Sequence, residues 1–497
     1  MRNTILFFLA AVLVAVPALA QDTTVAARIR RVENGLTTPV VVAGRTDQGM
    51  SIAQRMRVFN TPAVSIAVID NGRIEWARAY GTLQAGGSAA ADTGTLFQAA
   101  SISKPVSVLG AMKLVERGAL SLDADVNTFL RSWKVPENAF TAREKVTLRR
   151  IVSHSAGLTV HGFPGYATTA AVPTTVQVLN GEPPANTAAV RVDTLPGSLT
   201  RYSGGGTTVM QLMMEDVSGR PFAEYMRDEV LLPLGMMHSS YGYEVSPERA
   251  ARVARAHRRD GAPVEGGWHR YPEMAAAGLW TTPQDLARFG LAVLRAYQGQ
   301  EGGPISPALA RQMLTLTGRA APDAGFGLGL QINGIGSPGE WFGHSGANEG
   351  YRAQLIVIPG TGQGVAIMTS GDMGGDLMIE IGRAVAREYG WPAFQPVEKT
   401  SVAMDPAALR DAPGRYRTVF QGDTIEYTVR AEGGSLTSQT RSWAEPRVLH
   451  PASATELRFF VRESEREYTF ERDESGRIVR IRVTGGGPEI VVPRVPD

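Results

Sequence analysis

The stretch Phe97-Gln98-Ala99-Ala100-Ser101-Ile102-Ser103-Lys104 marks the point where the sequence takes on the pattern of a helix. Beyond it, apolar residues recur with helical spacing until Gly118 ends the pattern, at Val106, Leu109, Met112, Leu114 and Val115. This predicts a helix over 106–117, with Ser101 at its N-terminus and Lys104 one turn further on the same face. A lysine amine in that position can take the serine proton, and a helix N-terminus favours negative charge developing near Ser101.

The Ser-x-x-Lys spacing is weak on its own, because a capping serine followed by a solvated lysine has the same pattern. The composition adds a hint. Five of the 50 basic residues are lysines, namely Lys104, Lys113, Lys134, Lys145 and Lys399. Arginine keeps its proton whereas a buried lysine can lose it, so each lysine is a candidate base. Lys113 lies on the same predicted helix without a visible chemical role, so the spacing needs support from the rest of the chain.

Apolar strands are predicted on both sides of this helix. Ala63–Ile69 and Ile74–Tyr80 are separated by Asp70-Asn71-Gly72, which is typical of a hairpin. Near the other end, Tyr351–Ile358 and Gln363–Thr369 form a second pair of strands. Predicted helices lie between and after the strands, at Thr147–Ser153, Thr207–Val217, Pro221–Leu232, Pro283–Tyr297 and about Gly375–Tyr389. This order predicts an α+β domain, residues 21–395, whose antiparallel sheet is assembled from both ends of the chain.

Two segments interrupt or follow this domain. Tyr166–Thr200 is rich in proline, alanine and threonine without clear periodicity, and we interpret it as a loop over the functional site. A linker is predicted at about Pro392–Asp405. Beyond it the periodicity becomes two, so residues 406–497 are expected to form a small all-β, barrel-like domain.

The first 20 residues have the pattern of a secretory signal peptide. Arg2 is followed by the apolar run Ile5–Val16 and by Ala18-Leu19-Ala20, which predicts cleavage after Ala20. An uncleaved anchor is the alternative, although the run is short for a membrane span. The expectation is a periplasmic or secreted protein without a membrane span after cleavage.

Composition argues against several other classes. The net charge of +2 comes from 50 basic and 48 acidic residues without a basic stripe, so no nucleic-acid partner is expected. The chain has no cysteine and its seven histidines lack close metal-ligand spacing, so neither a disulfide framework nor a metal site is predicted. No Gly-x-Ser-x-Gly motif is present, which argues against an α/β-hydrolase with a Ser-His-Asp triad. The sequence carries no signal for the oligomeric state.

Five motifs in order support the serine and lysine. Residues 97–104 are followed by His154-Ser155-Ala156-Gly157-Leu158, Tyr202-Ser203-Gly204, Phe326-Gly327-Leu328-Gly329 and His344-Ser345-Gly346. Over about residues 45–390 the chain resembles the class C β-lactamase, DD-peptidase and esterase family of serine hydrolases. The resemblance implies the β-lactamase/transpeptidase-like fold, an antiparallel sheet flanked by helices. The C-terminal domain resembles the lipocalin-like appendages of some members, leaving open whether it covers the active-site entrance, binds a partner subunit or does neither.

The resemblance also implies roles for individual residues. Ser101 is implied as the nucleophile, Lys104 as its base, and Tyr202 as a phenolate-like partner that passes the proton to the leaving group. The backbone N–H groups of Ser101 and Ala347 are implied as the oxyanion hole. Strand residues His344, Ser345 and Gly346 would line the substrate site, together with Gly204. No metal or organic cofactor is implied.

Two departures from the family pattern bear on the substrate. Gly204 stands where the family has an asparagine that hydrogen-bonds the substrate amide, which puts recognition of an acylamido side chain in doubt. His344 stands where most lactamases have lysine, so a charge opposite a substrate carboxylate would depend on pH. We therefore expect an acyl-enzyme hydrolase of esters or short D-amino-acid peptides. A class C-like β-lactamase is the runner-up, and a penicillin-binding or cell-wall-peptide-sensing protein with little turnover is the alternative from another class.

Overall fold

The computed structural model describes residues 23–45, 49–420 and 423–496. The predicted signal peptide, residues 1–20, lies outside the described residues. Within the described ranges, no helix has both the length and the apolar character needed to cross a membrane.

Helices lie between and around the strands of the first 390 residues. The α-helices of the described residues are α1 (Val25–Glu33), α2 (Ile52–Val58), α3 (Ser103–Glu116), α4 (Leu148–Val152), α5 (Thr175–Asn180), α6 (Gly204–Ser218), α7 (Phe222–Met226), α8 (Pro247–Ala250), α9 (Met274–Ala277), α10 (Pro283–Tyr297), α11 (Pro307–Met313) and α12 (Gly374–Glu388). The predicted helix at Pro221–Leu232 is α7 continued by a π-helical turn, Arg227–Leu231.

Strands cluster at both ends of the chain. They are β1 (Val40–Val42), β2 (Ala63–Asp70), β3 (Arg73–Gly81), β4 (Phe97–Gln98), β5 (Tyr166–Ala167), β6 (Ser240–Tyr241), β7 (His269–Arg270), β8 (Leu279–Thr281), β9 (Gly318–Ala321), β10 (Ala324–Phe326), β11 (Gln331–Asn333), β12 (Trp341–Asn348), β13 (Tyr351–Ile358), β14 (Gln363–Thr369), β15 (Val397–Lys399), β16 (Gly414–Phe420), β17 (Asp423–Glu432), β18 (Ser435–Gln439), β19 (Arg447–Pro451), β20 (Arg458–Val461), β21 (Ser464–Arg472), β22 (Ile478–Thr484) and β23 (Ile490–Pro493).

The large sheet of the first unit joins the two ends of that unit, as predicted. Its strand order is β3-β2-β14-β13-β12-β11-β10-β9, and the pairing of β2 with β14 is antiparallel. All side chains of β2 are buried, because Ala67 and Ile69 pack on one face of the sheet and Ile66 and Val68 on the other. Burial on both faces explains why this strand is apolar without alternation.

Each face of the sheet is covered by its own helices. Helix α10 packs on β2, β3, β13 and β14, on the face whose core also includes α3 and the residues around Ser101. Helices α1, α2 and α12 form the core on the other face. Helix α10 has the predicted bounds, with the Thr282 side chain accepting the Asp285 N–H at 3.3 Å and Pro283 in the first turn.

Two predicted irregular segments contain regular structure. The loop 166–200 carries β5 and the short helix α5, which starts with a capping box between Thr174 and Gln177. The linker 392–405 carries β15, which pairs in parallel with β1. A strand of three residues and a helix of six residues are too short to show a period, so neither is visible in the sequence pattern.

The C-terminal strands form the expected all-β unit. Strands β16 to β23 pair in sequence order, each antiparallel to the next. A bridge between Tyr416 and Arg494 brings the last strand back to the first, so the sheet is a nearly closed barrel. The boundaries at residues 395 and 406 stay predictions.

The barrel contacts the back of the large sheet. The Arg383 guanidinium of α12 donates to Glu465 at 2.7 Å, and Arg447 of the barrel lies 3.0 Å from Asp376. Val40 and Val42 of β1 pack against Phe460. These contacts lie on the α12 side of the sheet, whereas Ser101 lies on the opposite side, so they do not support a barrel that covers the active-site entrance.

Candidate active site

Ser101 lies in a tight turn at the start of α3. A 3-10 turn, Ala100–Ile102, leads directly into the helix, and Ala100 adopts the left-handed conformation with φ of +49°. Ala100 and Ile102 are fully buried, whereas Ser101 is half-buried. The turn therefore holds two residues in the core and leaves the serine hydroxyl between them at the edge of the site.

Lys104 reaches back one turn to the serine, as the spacing predicts. Its Nζ lies 3.0 Å from Ser101 Oγ and donates to the Ala276 carbonyl at 2.9 Å. The side chain is almost completely buried, and this burial lowers the lysine pKa to about 7. A substantial fraction of Lys104 is therefore neutral at neutral pH, with a lone pair available for the Ser101 proton.

Tyr202 lies over Lys104. The Lys104 Nζ is 4.8 Å from the centre of the Tyr202 ring, and the phenol hydroxyl is buried without a hydrogen bond of ordinary geometry to any described residue. Burial raises the pKa of this phenol, and the neighbouring Ser101 side chain lowers it by less. Burial therefore favours the protonated phenol of Tyr202 over the expected phenolate-like form in the resting protein.

His154 holds the loop that carries Tyr202. It is buried, its Nδ1 accepts the Ser203 N–H at 3.2 Å, and its carbonyl accepts the Arg201 N–H at 2.7 Å. Its ring lies 4.3 Å from that of Tyr202, and burial lowers its pKa well below the usual histidine value. The structure confirms the prediction that His154 bonds backbone near the site.

Strand β12 forms the opposite wall. Ser345 and Ala347 are exposed, whereas His344 and Gly346 are buried. A Cβ at position 346 would lie 2.2 Å from the Ala99 carbonyl oxygen, so only glycine lets the strand approach the nucleophile turn this closely. The structure thus brings the predicted residues 344–347 beside the turn that carries Ser101.

The surroundings of His344 favour its uncharged form. Its Nδ1 lies 2.6 Å from the Ser345 carbonyl, which can only accept, so this nitrogen carries the hydrogen. Its Nε2 is buried, and no described residue hydrogen-bonds it. Burial, followed by repulsion from Lys104, lowers the His344 pKa to about 3. The imidazole is therefore uncharged at neutral pH and offers a substrate carboxylate no cation.

The sequence interpretation missed three groups near the site. Asn348 donates to Gln98 at 2.7 Å and to the Ala277 carbonyl at 3.1 Å, which joins the end of β12 to the segment behind Lys104. His161, exposed, places its ring 4.9 Å from Tyr202. Asn348 had no sequence signal, whereas His161 lies only a few residues beyond the motif 154–158.

Glu273 is the third missed group. It directly precedes α9. In that helix the Ala276 carbonyl accepts a hydrogen bond from Lys104, and the Ala277 carbonyl accepts one from Asn348. Its side chain is fully buried, and no described residue hydrogen-bonds either carboxylate oxygen. Burial raises its pKa to about 8, so the carboxyl keeps its proton at neutral pH.

Within the described ranges, no group of three or more histidine, aspartate and glutamate side chains is arranged to hold a metal ion.

This chain is similar to one known family and to several known proteins. A model of the Beta-lactamase family matches residues 51–388. Penicillin-binding protein 4 of Amycolatopsis lactamdurans is 28% identical over 351 residues, which cover 66% of this chain and 86% of that protein. A putative D-alanyl-D-alanine carboxypeptidase of Escherichia coli K12 is 23% identical over 380 residues, covering 67% and 86%. Esterase EstB of Burkholderia gladioli is 29% identical over 216 residues, covering 42% and 54%.

Solved structures show the same fold. The octameric penicillin-binding protein homologue from Pyrococcus abyssi superposes with a TM-score of 0.61 at 22% identity, covering 88% of this chain and 98% of that one. D-amino acid amidase from Ochrobactrum anthropi SV3 superposes with a TM-score of 0.55 at 20% identity, covering 68% and 94%. The expected β-lactamase/transpeptidase-like fold is confirmed.

The first prediction concerns the pH dependence of acylation. Because the neutral form of Lys104 accepts the serine proton, kcat/KM for a neutral ester should rise with pH and reach half its maximum near pH 7. The measurement is kcat/KM between pH 5 and 9, corrected for spontaneous hydrolysis. A profile that is still rising steeply at pH 9 would contradict the lowered lysine pKa.

The second prediction concerns Glu273. The pKa of Glu273 is 4.5 in its usual state and about 8 in the folded chain. Between these pH values the folded chain keeps a proton that the unfolded chain releases, so this group makes the free energy of unfolding fall as pH rises. Glu273→Gln removes the effect, and its Tm relative to the natural protein should increase from pH 5 to pH 8. Glu301→Gln, at an exposed position, is the matched control and should show a constant difference. A constant difference for Glu273→Gln as well would contradict a raised pKa of Glu273.

Proposed function

The chain belongs to the beta-lactamase family and is a serine hydrolase, and we propose that it hydrolyses esters or short D-amino-acid peptides through an acyl-enzyme on Ser101. The observation that carries the proposal is the 3.0 Å contact between Ser101 Oγ and a buried Lys104 Nζ. Burial lowers the lysine pKa, and among the described residues no carboxylate opposes this by stabilising the charged amine. This is the environment that an amine base needs.

Acylation begins with proton transfer. Neutral Lys104 accepts the Ser101 proton while Oγ attacks the carbonyl carbon, forming a tetrahedral intermediate. The N–H groups of Ser101 and Ala347 stabilise its oxyanion. The position of Gly346 against Ala99 supports this role, because it keeps the backbone of β12 close to the serine turn.

The leaving group departs with a proton. The bond between the carbonyl carbon and the leaving oxygen or nitrogen breaks, and the Tyr202 hydroxyl donates the proton that this atom needs. Lys104 holds the proton taken from Ser101 and passes it to Tyr202, which restores the phenol. Water then attacks the acyl carbon, and the reverse proton transfers restore Ser101 and release the acid.

The site supports neutral substrates over those that end in a free carboxylate. His344, Ser345 and Gly346 are proposed to line the leaving-group side, where His344 presents an uncharged ring. Esters, and amides of D-amino acids, do not need a cation there. The names of the esterase and D-amino acid amidase among similar proteins are consistent with this class.

The third prediction tests turnover directly. The purified chain is incubated with a p-nitrophenyl ester, a D-Ala-D-Ala peptide or a chromogenic cephalosporin, while intact mass and product release are followed together. We expect a transient acyl adduct and sustained product release with the ester, slower release with the peptide because its leaving group carries a free carboxylate, and little cephalosporin hydrolysis. Rapid cephalosporin hydrolysis would favour a β-lactamase, and a stable adduct without release would favour a penicillin-binding or sensing protein.

Two matched variants connect turnover to the proposed residues. Ser101→Ala should abolish the adduct. Lys104→Met should slow acylation by about 100-fold or more, because general-base catalysis contributes about 10²–10⁴-fold. Lys113→Met, on the same helix, should leave the rate unchanged. Adduct formation by Ser101→Ala at the natural rate would refute the assignment of the nucleophile.

A further inference from the structure

The N-terminus of α6, two residues after Tyr202, is built from three consecutive glycines. Gly204, Gly205 and Gly206 are all buried, and the segment Thr159–Phe163 rests directly on them. A Cβ at Gly205 would lie 2.8 Å from the Thr159 carbonyl oxygen, and one at Gly204 would lie 3.1 Å from the His161 carbonyl oxygen. Gly205 therefore permits an approach of backbone to backbone that a side chain would block, whereas at Gly204 the nearest atom to a Cβ would belong to the Phe163 ring.

Hydrogen bonds fix the segment in this place. The N–H groups of Gly204 and Gly205 donate to the carbonyls of His161 and Val160, each at 3.0 Å. The Ser203 hydroxyl donates to the Thr159 carbonyl at 2.7 Å. Val160 is held in the left-handed conformation, with φ of +62°, which is costly for a β-branched residue. A strained residue held by several bonds indicates a defined position for the side chains that follow it.

Two of the side chains that follow are the rings of His161 and Phe163. The Phe163 ring occupies the space beside Gly204, where a Cβ would lie 2.9 Å from its Cε2. The His161 ring lies 4.9 Å from Tyr202. Phe163 is half-buried, so part of its surface remains open to a bound molecule. Position 204 itself contributes no side-chain donor or acceptor.

We propose that Phe163 determines specificity for the acyl part of the substrate, selecting hydrocarbon acyl groups over those that carry an amide substituent. The inference rests on the proposed function, since it concerns the acyl group transferred to Ser101. An amide pressed against the Phe163 ring loses water without gaining a partner at position 204, whereas an alkyl or aryl chain gains apolar contact. Contacts of this kind change discrimination by about 10- to 100-fold.

The fourth prediction uses two esters of equal shape. The p-nitrophenyl esters of 4-methylpentanoic acid and of N-acetylglycine differ chiefly in whether the acyl chain holds an amide. We expect the natural protein to favour the hydrocarbon ester by about 10-fold or more in the acylation rate, followed by intact mass and corrected for the intrinsic reactivity of each ester. The Phe163→Ala/Gly204→Asn variant opens the space and supplies an amide partner, and should shift the ratio about 10-fold toward the N-acetylglycine ester.

Controls separate this inference from the proposed function. Phe163→Leu keeps an apolar side chain and should retain the preference for the hydrocarbon ester, and Phe140→Leu, at an exposed site on another loop, should match the natural ratio. Equal rates for both esters in the natural protein, or a ratio that the double variant leaves unchanged while still being acylated, would overturn the inference alone. Absence of acylation by either ester in the natural protein would overturn the proposed function together with it.

Discussion

A lysine without an acidic partner, buried beside a serine, is the constraint on which the rest of the site depends. Lowering the Lys104 pKa from 10.5 to about 7 corresponds to on the order of 5 kcal/mol of lost preference for the charged form. The fold must supply this, because an exposed lysine would keep its proton. Helix α3 does so by burying nearly its whole length in the main core, where the Lys104 amine hydrogen-bonds Ser101 and the Ala276 carbonyl beside the Tyr202 ring.

Close backbone approaches surround this lysine. Gly346 brings β12 against Ala99, and Gly204 and Gly205 bring residues 159–161 against α6. Around them, Ala100, His154 and Val160 adopt left-handed conformations without being glycine. Strain of this kind persists only where surrounding contacts enforce it. The polar groups are thus positioned by backbone packing, and a small displacement of one segment would change several of them together.

The sequence predicted what depends on local periodicity and short spacing. The hairpin β2–β3, the helix α10 with its Thr282 cap, and the Ser101–Lys104 contact all follow from residues that are near each other in the chain. Features set by distant residues were not predictable in this way. The pairing of β1 with β15 joins segments more than 100 residues apart. The burial of Glu273 and the low pKa of His344 depend on how densely the surrounding segments pack. Composition and periodicity carry no signal for long-range pairing or for packing density.

The described contacts of the barrel with the first 390 residues include those behind the large sheet. The barrel contacts α12 and β1, and α12 packs on β14 and on β13, which is the neighbour of β12 in the sheet. Without the barrel, Val40 and Val42 would lose their apolar contact with Phe460. The nearly buried Arg383 would lose its hydrogen bond to Glu465. An uncovered apolar strand and a guanidinium parted from its carboxylate are both unfavourable, so the barrel stabilises the face of the sheet that α12 covers. The loops around Tyr202, which we propose select the substrate, lie on the other side of the sheet.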